Sequence, residues 1–142
     1  MRRLLLLIPL FALCVWGCSD NDDFSKLPDS MATFISRYWP GSGVSSFTSV
    51  PGHGYEVIVR NGPTINFDTT GTWTSVNGNG LPLPEIFIYD NMPTPLYQYL
   101  ESGGLSGSVF TVARDARYYQ LTLLNQDLTY NISTGRVTQT AR

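Results

Sequence analysis

One pattern occurs twice in this chain, and it constrains the fold more than any other feature. Tyr119, Leu121 and Leu123 restate Tyr55, Val57 and Val59 at an offset of about 64 residues. Asn125 answers Asn61, Leu128 and Tyr130 answer Ile65 and Phe67, and Gly135 answers Gly71. Only a fold that uses one supersecondary unit twice accommodates such a repeat.

Each unit starts with a helical period. Met31, Phe34, Ile35 and Tyr38 fall at i, i+3, i+4 and i+7, one apolar face of a helix. Asp29 or Ser30 is placed to cap it, and Pro40-Gly41 to stop it. Val44 to Val50 then reads as a strand, Pro51 to Gly54 as a turn, and Tyr55-Glu56-Val57-Ile58-Val59-Arg60 as a half-buried strand. Asn61-Gly62-Pro63 turns the chain into a strand holding Ile65 and Phe67. Thr69-Thr70-Gly71 turns it again into Trp73 to Val76. The second unit runs from a helix with Thr94 as cap, Pro95 as first residue and Leu96, Tyr99 and Leu100 inside, through Gly103-Gly104, to strands at Val109 and Val112 and beyond.

The fold class is therefore α+β: a tandem repeat of one helix plus a four-stranded antiparallel meander. One sheet face lies under helices and the other is wet. Repeat one spans 27–76 and repeat two 93–142. A linker-like stretch, 77–92, separates them, with Pro82 and Pro84 beside a short apolar run, Ile86 to Tyr89. Phe34, Tyr55, Val57, Phe67, Leu100, Tyr119, Leu121 and Tyr130 are expected inside.

Upstream, Arg2 and Arg3 precede an apolar run, Leu4 to Trp16, too short for the ~20 residues of a spanning helix. Residues 1–17 read as a secretory signal. Val15-Trp16-Gly17-Cys18 resembles a bacterial lipobox, which makes Cys18 the lipidated residue, although Trp16 stands where a small residue is usual. Residues 18–26 form the lipidated cysteine and an acidic spacer. The step Ser19-Asp20-Asn21-Asp22-Asp23 is similar to one that favours surface display in lipoproteins of Bacteroidetes. The expected location is an outer membrane lipoprotein, on the cell surface rather than the periplasmic face.

Of nine Lys and Arg, loss of Arg2 and Arg3 leaves seven against eleven Asp and Glu, a net charge of −4. No basic run is present, and nucleic-acid binding, which needs cations to displace counterions, is disfavoured. With Cys14 removed and Cys18 acylated, neither of the two cysteines remains for a disulfide or a thiolate metal site.

The motif residues Trp39-Pro40-Gly41, Tyr55 to Gly62, Ile65 to Asp68, Gly71 and Trp73 resemble the β-lactamase-inhibitor-like, PepSY-like lipoproteins of gut Bacteroidetes. The resemblance covers residues 27–140. It implies a fold like the β-lactamase inhibitor protein, with two helix-plus-sheet repeats. The second repeat departs from the motif at Gln126, Asn131 and Val137. The resemblance carries over no inhibitory residue.

Chemistry in the chain is sparse. If Val57 pairs with Phe67, Glu56 stands opposite Asp68 on the wet face, and Gln120 likewise opposite Asn131. Carboxylates at that separation serve retaining glycoside hydrolysis or part of a calcium shell. The better reading makes Asp68 a turn-capping residue, because aspartate bonds its own turn backbone. Glu56 and Asp68 remain a weak metal candidate and no metal site is assigned. His53, the only histidine, lies in a Gly-rich turn with no base partner. Trp73 reads as a core or sheet-edge aromatic before a ligand-stacking ring. No catalytic residue and no cofactor are expected. The function that follows is a non-enzymatic, lipid-anchored module binding an unidentified protein or peptide, with the lipid as its contact to the membrane. Its face would be Glu56, Ile58, Arg60, Asn66 and Thr122, where Ile58 is apolar at a wet position. The alternative is an inhibitor of a protease or β-lactamase acting through a protruding turn, with His53, Arg114 or Arg117 as contacts. A glycoside hydrolase ranks third.

Overall fold

The structure, a computed structural model, describes residues 23–142. The segment expected to be a signal, Cys18 and most of the expected acidic spacer lie outside the described residues. A 3₁₀ turn, Phe24–Lys26, leads into helix α1, Asp29–Tyr38. Strands β1 (Val44–Val50), β2 (Gly54–Val59), β3 (Thr64–Phe67) and β4 (Trp73–Asn77) follow. Helices α2 (Glu85–Asn91) and α3 (Thr94–Ser102) come next, and then β5 (Val109–Arg114), β6 (Tyr118–Leu123), β7 (Gln126–Asn131) and β8 (Val137–Ala141). The eight strands form one sheet in sequential order, every neighbouring pair antiparallel. The α+β class follows from one sheet with helices on one side.

The helices are started by proline rather than by the capping side chains read from the sequence. Pro28, Pro84 and Pro93 occupy the cap positions of α1, α2 and α3, and none of these helices has a side-chain cap bond. A fixed φ near −57° at each presets the extended entry into the first turn. Thr94 and Pro95 are both inside α3; Pro95 lacks an N–H where none is needed.

The stretch 77–92 is more than a linker, because it holds α2. Phe87 and Ile88 are fully buried and Leu83 and Met92 nearly so. Phe87 sits among four rings: Trp73 at 5.2 Å, Tyr38 at 5.4 Å, Phe34 at 6.0 Å and Trp39 at 6.1 Å between centroids. A polar chain pins the same helix. The Trp73 indole N–H donates to Asn91 Oδ1, Asn91 Nδ2 donates to the Tyr38 hydroxyl, and that hydroxyl donates to Asp90. Arg37 donates to the same Asp90 oxygen at 2.7 Å. The Arg37 guanidinium and then the Tyr38 hydroxyl hold the Asp90 carboxyl below its ordinary range.

Alternation along the strands sends one parity to the core: Val44, Val57, Val59, Ile65, Phe67, Val76, Val112, Leu121, Leu123, Leu128 and Tyr130 join Met31, Ile35, Leu96 and Leu100 in one cluster. Of the residues expected inside, Val57, Phe67, Leu100, Leu121 and Tyr130 are buried, while Phe34, Tyr55 and Tyr119 are half-buried against the same core.

The β2–β3 register differs from expectation by two residues. Tyr55 pairs with Phe67, Glu56 with Asn66, and Val57 with Ile65. The cause is the turn. Val59 N–H bonds the Pro63 carbonyl and Gly62 N–H returns to Val59, with Asn61 at φ 55°, so the loop closes early. In β6–β7, Gln120 likewise faces Thr129, and Tyr118 faces Asn131. A slip of two keeps every side chain on its face, so the core is unaffected while the opposed pairs change.

Candidate functional site: the open sheet face

The parity opposite the core forms two rows across all eight strands. The first runs Ser46, Ile58, Thr64, Asn77, Thr111, Thr122, Asp127, Thr140. The second runs Thr48, Glu56, Asn66, Ser75, Ala113, Gln120, Thr129, Thr138. None of these residues is buried, and none is Lys or Arg. Glu56 and Asp127 bring the only charges, and Arg142 lies 3.5 Å from Asp127. The surface is therefore almost purely hydroxyl and carboxamide. Its side chains partly satisfy one another, as where Asn66 Nδ2 donates to Ser75 Oγ at 2.9 Å. A trough of about 410 Å³ lies on this face over β5–β8, around Ala113, Thr122, Thr129 and Thr140.

Of the proposed face residues, Glu56, Ile58 and Asn66 are neighbours in these rows. Thr122 shares the face but lies on β6, four strands from β2. At ~4.8 Å per strand that is about 19 Å. Arg60 follows the end of β2, where its N–H bonds the Gly43 carbonyl. Thr64, Ser75, Thr111, Thr129 and Thr138 join the face without having been expected there, and Gln120, expected on the wet side, faces Thr129 rather than Asn131. Their signal is the polar half of each alternation, as in Thr138-Gln139-Thr140, which in a single strand is indistinguishable from ordinary solvent-facing residues.

Glu56 and Asp68 are not opposed. Asp68 has left the strand: its Oδ1 accepts the Thr70 amide at 2.9 Å, the Thr70 hydroxyl at 2.6 Å and the Thr72 amide at 3.0 Å. The Thr70 hydroxyl first, then the Thr72 amide, hold the carboxyl below its ordinary value. Asn131, uncharged, does the same at the matching turn, accepting from the Ser133 amide and hydroxyl and the Thr134 amide. Turn closure is what the two share, so the carboxylate of Asp68 is local. Gly54 is required beside this turn. Its φ is 110°, and a Cβ there would stand 2.0 Å from the Phe67 carbonyl oxygen. Among the described residues no group of three or more His, Cys, Asp or Glu could hold a metal ion.

The turn candidates separate as well. His53 is exposed in the β1–β2 turn, its N–H on the Val50 carbonyl, and Arg117 is exposed in the β5–β6 turn. Arg114 is not a turn contact. It ends β5, its guanidinium carbon lies 3.7 Å over the Trp73 ring, and two of its nitrogens donate to the Trp73 carbonyl. Trp73, only 4 % exposed, is a core ring and presents no stacking surface.

No protein-family model matches the chain, and no curated protein matches it at a significant level. Solved structures share its fold. A protein of the DUF2874 family from Bacteroides vulgatus, described as periplasmic, matches with a TM-score of 0.66 and 23% identity, over 84% of this chain and 96% of that one. A protein from Bacteroides thetaiotaomicron, described as calcium-regulated and periplasmic, gives 0.67 and 23% over 82% and 92%. A second Bacteroides vulgatus protein, described as periplasmic and of unknown function, gives 0.66 and 19% over 83% and 94%.

Proposed function

We propose that this chain is a non-enzymatic binding module of the bacterial cell envelope, held to the outer membrane by a lipid on Cys18 and engaging a protein or peptide through its open sheet face. The observation that carries the reading is the pair of rows across eight strands that hold no Lys or Arg and only two acids, Glu56 and Asp127. An ordinary solvated face of a small acidic domain would be dotted with Lys and Glu. This one offers mainly hydroxyls and amides beside the apolar Ile58, groups that cost less to bury than charges when a partner's hydrogen bonds replace water's, and that match a neutral partner.

The same reading takes the domain as two copies of a helix-plus-meander unit in the manner of the PepSY-like and β-lactamase-inhibitor-like proteins. In its support, bulges fall at Val44/Ser46 and Val109/Thr111, and Asp68 and Asn131 close matching turns. The periplasmic descriptions of the structural neighbours support an envelope location, and the acidic step after Cys18 favours the outer surface. Calcium regulation, described for the Bacteroides thetaiotaomicron protein, is not part of this reading, since Asp68 lies in its own turn and Glu56 faces Asn66. The inhibitor reading stands second, supported by the exposed turn of Val50, Pro51, Gly52 and His53.

To test the first reading, the domain is immobilised and envelope proteins are passed over it. Thr64→Lys and Thr129→Lys, both on the open face, should abolish retention of whatever wild type retains, while His53→Ala and Arg117→Ala retain it. The opposite pattern would replace the face by the turns.

A further inference from the structure

The core-side face of the sheet is incompletely roofed. Alternation on β7 and β8 points Gln126, Leu128 and Tyr130, and their rungs Ala141, Gln139 and Val137, to the helix side. Leu128 and Tyr130 are covered; Gln139 and Ala141 are exposed. Helix α3 ends at Ser102, with Gly103 as its C-cap, and meets β8 through the Tyr99 hydroxyl on Gln139. What remains is a shallow, open depression of about 650 Å³ between α3 and the β7–β8 edge.

Its lining is chemically specific. No charged residue contributes. Gln98 on α3, Gln126 on β7 and Gln139 on β8 supply carboxamides from three elements, Tyr99 a half-buried ring, and Pro95 and Leu105 apolar surface. The Tyr99 hydroxyl donates to Gln139 Oε1 at 3.2 Å, which fixes the ring against the sheet and leaves the Gln139 amide nitrogen for another partner. A gap in a core roof is expected to expose leucine or valine. Here the exposed core-parity positions are Gln139 and Ala141, with Gln126 half-buried beside them, so carboxamides rather than large apolar side chains stand at the edge of the gap.

We infer that this cleft binds a neutral saccharide. A sugar ring presents an apolar C–H face to an aromatic ring and a rim of hydroxyls that both donate and accept. Carboxamides both donate and accept, and an uncharged lining discriminates against uronic and phosphorylated sugars. This site is distinct from the open face, lies on the opposite side of the sheet, and does not depend on the function proposed above.

The test is ¹⁵N-resolved titration of the 23–142 domain with neutral trisaccharides of glucose, mannose, xylose and N-acetylglucosamine, with trigalacturonate and triglycine as charged and peptide controls. At least one neutral sugar should shift the side-chain amide signals of Gln98, Gln126 and Gln139 together. Gln139→Leu should weaken that response roughly tenfold, the equivalent of one lost polar contact. Tyr99→Phe, which keeps the ring, should bind better than Tyr99→Leu. Open-face signals from Asn66 and Gln120 should stay still. No shift with any neutral sugar at millimolar concentration, or a response to triglycine or trigalacturonate alone, overturns the inference.

Discussion

Asp68 lies in a turn and Glu56 on a strand, and everything else about them follows from that. Asp68 accepts three bonds within its own turn, whereas Glu56 stands in the open row opposite Asn66 and Thr48. Asp68→Ala should lower the melting temperature, and Asn131→Ala should do so by a similar amount, because each frees turn amides from their acceptor. Glu56→Gln should leave it unchanged. Equal effects of Asp68→Ala and Glu56→Gln in thermal melts would contradict the turn assignment. Acid gives a second check. Asp68, Asp90 and Asp115 all have carboxyls held below the ordinary aspartate value of 3.8, through the Thr70 hydroxyl, the Arg37 guanidinium and the Arg117 amide respectively. A depressed carboxyl contributes stability above its unfolded value and loses it as pH falls through the folded one. The domain should therefore hold its stability down to about pH 4 and lose it below, and Asp90→Asn should flatten that acid limb. A melting temperature independent of pH between 5 and 2 would contradict these contacts.

At the scale of elements, α1 and the strands were legible because periods of 3.6 and 2 are visible in single stretches such as Met31 to Tyr38 and Tyr55 to Val59. Helix α2 was not. Seven residues bracketed by Pro84 and Pro93 make two turns, too few for a period, and proline usually marks a loop. Only the tertiary setting, four rings around Phe87, makes that stretch helical core. Phe87→Ala should accordingly cost about 3–5 kcal/mol in urea unfolding, as much as any large core truncation. A loss under about 1 kcal/mol, typical of an exposed linker residue, would return the stretch to a loop. The register error has an equally physical source. Side-chain parity tells which face a residue takes, but the rung is decided by how a turn closes, and the bond from Val59 N–H to the Pro63 carbonyl is invisible in composition.

For the whole molecule, the helices cover one side of an eight-stranded sheet and, among the described residues, nothing covers the other. The location of that surface was readable in advance; its chemistry was not. Threonine, serine and asparagine at alternate positions look like ordinary solvent-facing filler in one strand, and become a continuous surface of hydroxyls and carboxamides, with Glu56 and Asp127 its two acids, only when eight registers align. Ile58 is a large apolar side chain in the first of its rows and reports directly on occupancy. Hydroxyl-radical footprinting of intact cells against the purified domain reads that occupancy without knowing the partner, with the exposed Leu81 and Leu124 as internal references. The account predicts that Ile58 is oxidised in the purified domain and protected on the cell, while Leu81, Leu124 and His53 are labelled alike in both. Equal labelling of Ile58 in the two samples, with His53 protected on the cell, would contradict the open face as the binding surface.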